Sequence, residues 1–304
     1  MREKIKISSN MYLLVGNLCN MTCSDCVFLS PFNFLGLQDW NKYKNHYEKW
    51  SEILDLDQIV CFGGEPYLNP QLDVWLTEFN RLWPDSDVEL DTNGTRLKKG
   101  IELTRDFLQK TKNSLRISVH DRTDWNEIKQ NLETILEPWD WYTVDESTSS
   151  DLKVSYYIKH TDEFLAVMIG QDTMMPPYFD KVENGTVYLG MGGDQEESHK
   201  NCPFNNVYTF QDGLVYKCPL TVNYPDAKKQ GIKFEPEAVE LLDQYKPCSP
   251  YDSEEEIKEF FDNIDKSIPQ CSLCAYDKKK DPLEFSRVVN LDINRKKVFP
   301  INKI

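Results

Sequence analysis

Cys19, Cys23 and Cys26 fall within the eight residues CNMTCSDC, at the spacing C-x3-C-x2-C. A structural zinc site takes four ligands, as two C-x2-C pairs or one C-x2-C with two histidines. Here the histidine nearest in sequence is His46, too far along the chain to complete a local tetrahedron. Three thiolates can instead hold three irons of a [4Fe–4S] cube and leave the fourth iron open to another ligand. A vacant metal position is a catalytic feature. Burial as small hydrophobes explains the stretch poorly, because Asn20, Thr22, Ser24 and Asp25 surround the three thiols.

A second set lies towards the C-terminus. Cys202 and Cys218 flank a hairpin pattern, Gly213 stands five residues before Cys218, and Cys271 and Cys274 form a C-x2-C pair. Four deprotonated soft ligands suit either a four-thiolate zinc site or an iron–sulfur cluster, and residue chemistry leaves both open. Of the other cysteines, Cys61 reads as a small buried hydrophobe, and Cys248 as an alternative fourth ligand, a substrate-facing thiol or, the favoured reading, inert. His199, three residues before Cys202, stands close enough in sequence to support that centre from beside its ligands, but a plain surface histidine is the favoured reading.

The bulk composition limits what these thiols can serve. The chain has 304 residues, nine cysteines, 40% hydrophobic residues and a net charge of -15. It can bury a sizeable core, and its acidic surface repels phosphate backbones, which argues against broad nucleic-acid binding. The basic runs Lys278–Lys280 and Arg295–Lys297 read as solvated surface. No apolar run approaches the roughly 20 residues that span a bilayer, and the N-terminal segment has no signal-peptide pattern. A cytoplasmic, reducing location is expected, where clustered cysteines serve metals or catalysis rather than disulfides.

The elements that must position the thiols follow a strand–helix alternation. Residues 11–15, 57–62, 87–91 and 114–120 read as strands. Residues 39–54, 69–83, 100–111 and 123–136 read as helices, the last with Thr123 or Asp124 as N-cap. Such a repeat builds a parallel sheet, whose active site forms at the carboxyl ends of the strands. Each short motif sits at such an end. Further on, residues 151–160 and 163–170 read as strands and 174–194 as irregular chain. Residues 206–218 read as a hairpin turning at Asp212-Gly213, and 254–264 as a helix.

With its cysteine loop after the first strand of a βα unit, the chain resembles the radical SAM superfamily, in which an Asn such as Asn20 is common after the first cysteine. Gly63, Gly64, Glu65 and Pro66, after the second strand, are similar to the family segment that meets the amino group of S-adenosylmethionine. Paired glycines let the backbone approach closely and present carbonyls to an ammonium, and Glu65 supplies negative charge. Asp91-Thr92-Asn93-Gly94 is similar to a family segment beside the cofactor, and Asn93 is its candidate contact. Ser118 and His120 have a location that suits ribose or substrate. Asp25 stands where many members carry an aromatic against adenine, so Phe28 is the candidate for that contact.

The four C-terminal cysteines resemble the auxiliary-cluster region called SPASM or its shortened form, twitch, with one auxiliary [4Fe–4S] cluster. The resemblance implies a partial (β/α)6 TIM-like barrel over residues 8–195, a small cluster-binding domain with a β-hairpin and a helix over 196–285, and a tail over 286–304. It implies an oxidoreductase-type enzyme using S-adenosylmethionine, which generates a 5′-deoxyadenosyl radical and abstracts hydrogen from a small molecule or peptide. The auxiliary cluster would take the second electron, in a dehydrogenation or a peptide cross-link. An electron donor such as flavodoxin or ferredoxin would be a partner, with no nucleic acid and no membrane. The alternative is a zinc- or cluster-stabilised binding protein without S-adenosylmethionine cleavage.

Overall fold

A computed structural model describes residues 3–21, 26, 36–110, 112–145, 153–158, 166–170, 179–183, 186–189 and 192–274. The chain opens with β1 (Ile5–Leu14), α1 (Trp40–Ile53), β2 (Leu54–Phe62), α2 (Leu72–Leu82), β3 (Asp87–Thr92), α3 (Ile101–Leu108), β4 (Asn113–Ser118) and α4 (Trp125–Leu136). Three strands follow, β5 (Trp141–Asp145), β6 (Lys153–Ile158) and β7 (Ala166–Gly170), then β8 (Phe179–Glu183) and β9 (Thr186–Leu189). The remainder is α5 (Gln195–Asn201), β10 (Tyr208–Gln211), β11 (Leu214–Tyr216), α6 (Pro219–Lys229), β12 (Lys233–Phe234), α7 (Pro236–Asp243) and α8 (Glu254–Asp262).

Helix formation follows local chemistry. The Asp39 side chain caps α1 by accepting from the N–H of Asn41 at 3.0 Å. In α2, Leu72, Trp75, Leu76 and Phe79 are buried at the i, i+3, i+4, i+7 spacing of one helical face. Ser253 and Glu256 form a reciprocal capping box that starts α8.

Nine strands make the main sheet, in the order β11-β10-β1-β2-β3-β4-β7-β6-β5. Strands β1 to β4 pair in parallel, β7 adds to β4 in parallel, and β6 runs antiparallel between β7 and β5. The expected six βα units are therefore not what the described residues show. After α4 the connections between β5, β6 and β7 are too short to cross the sheet through a helix, so these strands form an antiparallel meander. Strands β8 and β9, inside the 174–194 segment expected to be irregular, form a separate three-stranded sheet with β12, in the order β12-β9-β8. In it, Val182 and Val187 are register partners.

The hairpin of β10 and β11 joins the main sheet, since β10 pairs in parallel with β1, with Met11 opposite Tyr208. Its turn residues Asp212 and Gly213 have φ of 53° and 73°, both left-handed, as a two-residue hairpin turn requires. Trp50 of α1 donates from Nε1 to the Gly213 carbonyl at 3.0 Å, fixing the turn against the helices.

Alternation along the strands divides the sheet's two faces. Met11, Leu13, Ile59, Cys61, Val88, Leu90, Leu115 and Ile117 point to the helices and share one core with Trp40, Trp50, Trp75 and Phe79. Each such side chain contributes about 1.5–3 kcal/mol on burial, so the helix-bearing face dominates stability. The opposite face carries Tyr12, Phe62, Glu89, Asp91 and Arg116, and the carboxyl ends of β1 to β4 meet it at one edge. Among the described residues no helix is long and apolar enough to cross a membrane.

Candidate functional site

At the carboxyl ends of β1 and β2 two loops run against each other. The N–H of Gly64 donates to the Gly16 carbonyl, and that of Glu65 to the Leu18 carbonyl, each at 2.9 Å. A Cβ on Gly63 would stand 2.4 Å from the Gly16 oxygen, and one on Gly64 2.4 Å from the Leu18 oxygen. The glycine pair is thus required by the backbone leading into Cys19. This close approach lies within the protein.

Glu65 is almost wholly buried, with 2% of its surface exposed. Its Oε1 accepts from Thr92 Oγ1 at 2.7 Å and from the N–H of Tyr67 at 3.2 Å, and its Oε2 from the N–H of Asn93 at 2.9 Å. Burial raises the carboxyl above its ordinary value, while these donors and the Arg96 charge act in the opposite direction. The carboxylate binds the second and third loops together. Pro66 opens the following short 3-10 turn, which Glu65 caps.

Asn93 extends the tie to the first loop. Its Nδ2 donates to Asn20 Oδ1 at 3.1 Å and lies 3.8 Å from Cys19 Sγ. Its Oδ1 accepts from the N–H and the hydroxyl of Thr95, and Asn20 Nδ2 donates to that hydroxyl at 2.7 Å. Gly94, at φ +77°, lets the chain turn here. Cys19 is buried, packed with Met21 and Cys26, and the N–H of Met21 donates to its sulfur at 3.4 Å. Cys23 and Phe28 lie outside the described residues. Three loops read separately in the sequence therefore form one bonded unit around Cys19.

Ser118, buried, ends β4 on the same edge. The sheet face below it pairs aromatic with charged side chains. Tyr12 and Phe62 have ring centroids 4.7 Å apart, and Phe204 stands 6.2 Å from Tyr12. Asp91 and Arg116 are cross-strand register partners. Burial raises the Glu89 carboxyl, and Arg116 opposes that rise. Burial and then the Asp91 charge raise the Tyr12 phenol. Sequence reasoning missed this group, although the alternation of DVELD already placed Glu89 and Asp91 opposite Val88 and Leu90.

Cys202, Cys218, Cys271 and Cys274 line one cavity, together with His199 and Lys217. Burial pushes the Cys202 thiol up to about 11 and Cys218 up to about 12, and the neighbouring thiols add to both rises. Cys271 is raised by burial and Cys274 well above its ordinary value. Thiols so placed ionise only when a cation takes their charge, which a metal centre does. Among the described residues, no three His, Cys, Asp or Glu side chains gather closely enough to hold one metal ion. Four soft thiol donors on one cavity suit a four-thiolate zinc site or an iron–sulfur cluster.

The remaining cysteines are packing groups. Cys61 is fully buried in the main core and Cys248 is buried beside β11, where its N–H and carbonyl bond to Val215. None of the described cysteines is in a disulfide. His199 is half-buried on the thiol cavity, not the plain surface residue expected from the sequence.

No family model matches the chain. Among curated proteins, the GTP 3′,8-cyclase of Nautilia profundicola is 33% identical over 100 residues, covering 30% of this chain and 30% of that protein. The match spans less than a third of that relative's length. Among solved structures, BtrN in complex with AdoMet and 2-DOIA aligns over 88% of this chain and 93% of its own, at 14% identity and a TM-score of 0.45. Streptococcus suis SuiB bound to S-adenosylmethionine aligns over 89% and 71%, at 9% identity and a TM-score of 0.38.

Proposed function

We propose that this chain is a radical S-adenosylmethionine enzyme in which Cys19, Cys23 and Cys26 hold a [4Fe–4S] cluster with one iron open to the cofactor. The observation that carries this reading is the bonded unit in which Asn93 reaches Asn20 and lies beside Cys19 while its N–H binds Glu65. It brings the carboxyl ends of three adjacent parallel strands to one thiol. When bound, the cluster and S-adenosylmethionine supply one-electron cleavage of the sulfonium and a 5′-deoxyadenosyl radical that abstracts hydrogen.

The protein's part is to hold and exclude. Gly63 and Gly64 bring the second loop onto the backbone of residues 16–18, so the Cys19 segment cannot drift. Glu65 and Asn93 lock the third loop to the other two. Gly63, Gly64, Glu65, Pro66, Asn93, Ser118 and Phe28 are the proposed cofactor-side residues. The face bearing Tyr12, Glu89, Asp91 and Arg116 is polar and partly buried, which supports a hydrophilic small molecule or a short peptide as substrate.

Cys202, Cys218, Cys271 and Cys274 would hold a second, auxiliary [4Fe–4S] cluster of the twitch or SPASM kind. Phe204 links that site to the sheet face, since its N–H donates to Cys202 Sγ at 3.4 Å and its ring meets Tyr12. Such proximity suits an acceptor for the substrate's second electron, giving a net oxidation. A small reductant such as flavodoxin or ferredoxin would supply the first electron in the cytoplasm. Addition of S-adenosylmethionine to the anaerobically loaded, reduced protein should change the EPR spectrum of one cluster and leave the other unaltered. A spectrum unmoved by S-adenosylmethionine would contradict the proposal.

A further inference from the structure

The cavity lined by the four C-terminal thiols also receives four polar side chains, and three of them are already committed. Ser198 Oγ donates to the Cys274 carbonyl at 3.2 Å. Lys217 Nζ donates to the carbonyls of Asn263 and Lys266, at the end of α8. Asn205 Nδ2 lies 3.4 Å from the Lys200 carbonyl. The fourth is His199, whose Nε2 is buried with no hydrogen-bond partner in the protein.

A buried ring nitrogen left without a partner is destabilising, so it calls for one in the cavity that the residue lines. The backbone that carries His199 is held on both sides. The His199 carbonyl accepts from the N–H of Cys202 at 3.1 Å, and the adjacent Ser198 binds α5 to the Cys274 turn. Among the described residues, the cavity is otherwise lined by the four cysteines and by Phe204, Pro219 and Ile268.

We propose that His199 donates an Nε2–H hydrogen bond to a sulfur of the iron–sulfur centre held by Cys202, Cys218, Cys271 and Cys274, and so acts as a positioning residue that raises its reduction potential. This rests on the reading of those cysteines as a cluster site. Reduction adds negative charge to the sulfurs, and an N–H donor stabilises the reduced form more than the oxidised one. The backbone N–H of Phe204 makes a similar approach to Cys202 Sγ, so His199 adds a side-chain donor to one the main chain already supplies.

The test is a potentiometric titration followed by EPR, made on the full chain and on His199→Leu and His199→Gln. The same variants are repeated with Cys19, Cys23 and Cys26 all changed to Ala, so that only the second centre is read. Iron content should be unchanged in both histidine variants. The second centre's potential should fall in His199→Leu and return part of the way in His199→Gln, which keeps an N–H donor. An unmoved potential at full iron content overturns the inference alone. Loss of iron in His199→Leu makes the histidine a ligand and overturns it too. Zinc instead of iron in the unsubstituted chain overturns the cluster reading together with this inference, and a metal count separates that failure from the others.

Discussion

The backbone N–H of Asn93 donates to Glu65 Oε2 at 2.9 Å, and this bond joins the loop after β3 to the loop after β2. Thr92 and Tyr67 fill the other carboxylate oxygen. Glu65→Gln must turn an NH2 group towards one of these donors, leaving a buried clash of two donors. We expect a loss of about 1–3 kcal/mol, read by chemical denaturation.

The same carboxyl predicts a pH dependence. Burial raises its folded-state value above 4.5, the ordinary figure that the unfolded chain keeps. Below 4.5 both states hold the proton and the burial penalty on the charged form is absent. As pH rises through the folded-state value the native state must accept the buried charge, and stability falls. The wild-type advantage over Glu65→Gln should therefore shrink as pH rises above 4.5, and a constant advantage would contradict the assignment.

Gly64→Ala should be far more damaging than an alanine at another glycine of unusual conformation. Its Cβ would meet the Leu18 and Asn17 carbonyl oxygens at 2.4 and 2.6 Å, whereas Gly192, at φ +80°, has nothing within 4 Å. We expect Gly64→Ala to cost about 2 kcal/mol or more by backbone displacement, and Gly192→Ala about 1–2 kcal/mol from its left-handed conformation alone. Denaturation midpoints rank the two.

Much of this unit was legible in the sequence, because strand ends, glycines and cysteines are local signals. Four parallel strands and their helices follow from apolar spacing. What the sequence concealed was partnership. Nothing in the GGEP stretch shows that Glu65 would be taken up by Thr92 and Asn93, 27 and 28 residues away. Likewise β1 starts at Ile5 because Leu54 and Leu56 pair beside Ile5 and Ile7, while the segment itself reads as charged and polar. The hairpin's turn was visible in Asp212-Gly213, but its place beside β1 depends on a contact some two hundred residues long. His199 stood out only by its place three residues before Cys202, and its burial depends on α5 packing against the turn that carries Cys271 and Cys274.

Metal content should separate the cysteines into two classes. Cys61→Ala and Cys248→Ala remove packing groups and should cost stability while leaving iron at about eight atoms per chain. Cys218→Ala or Cys274→Ala should lower the count towards about four. An unchanged count in these last two variants would contradict the second cluster.

Asn93→Ala removes the donor to Asn20 and the amide beside Cys19. Loss of a residue that orients a metal ligand commonly costs 10–100-fold in activity, and a fall in S-adenosylmethionine cleavage of about that size is expected. Full cleavage at full iron content would leave Asn93 only a packing role.

The central claim is tested most directly by 5′-deoxyadenosine formation. The chain is loaded anaerobically with iron and sulfide, reduced, and given S-adenosylmethionine, beside a variant with Cys19, Cys23 and Cys26 all changed to Ala. The proposal predicts 5′-deoxyadenosine from the unsubstituted protein and none from the variant. No cleavage by the fully loaded chain, or equal cleavage by both proteins, would contradict it.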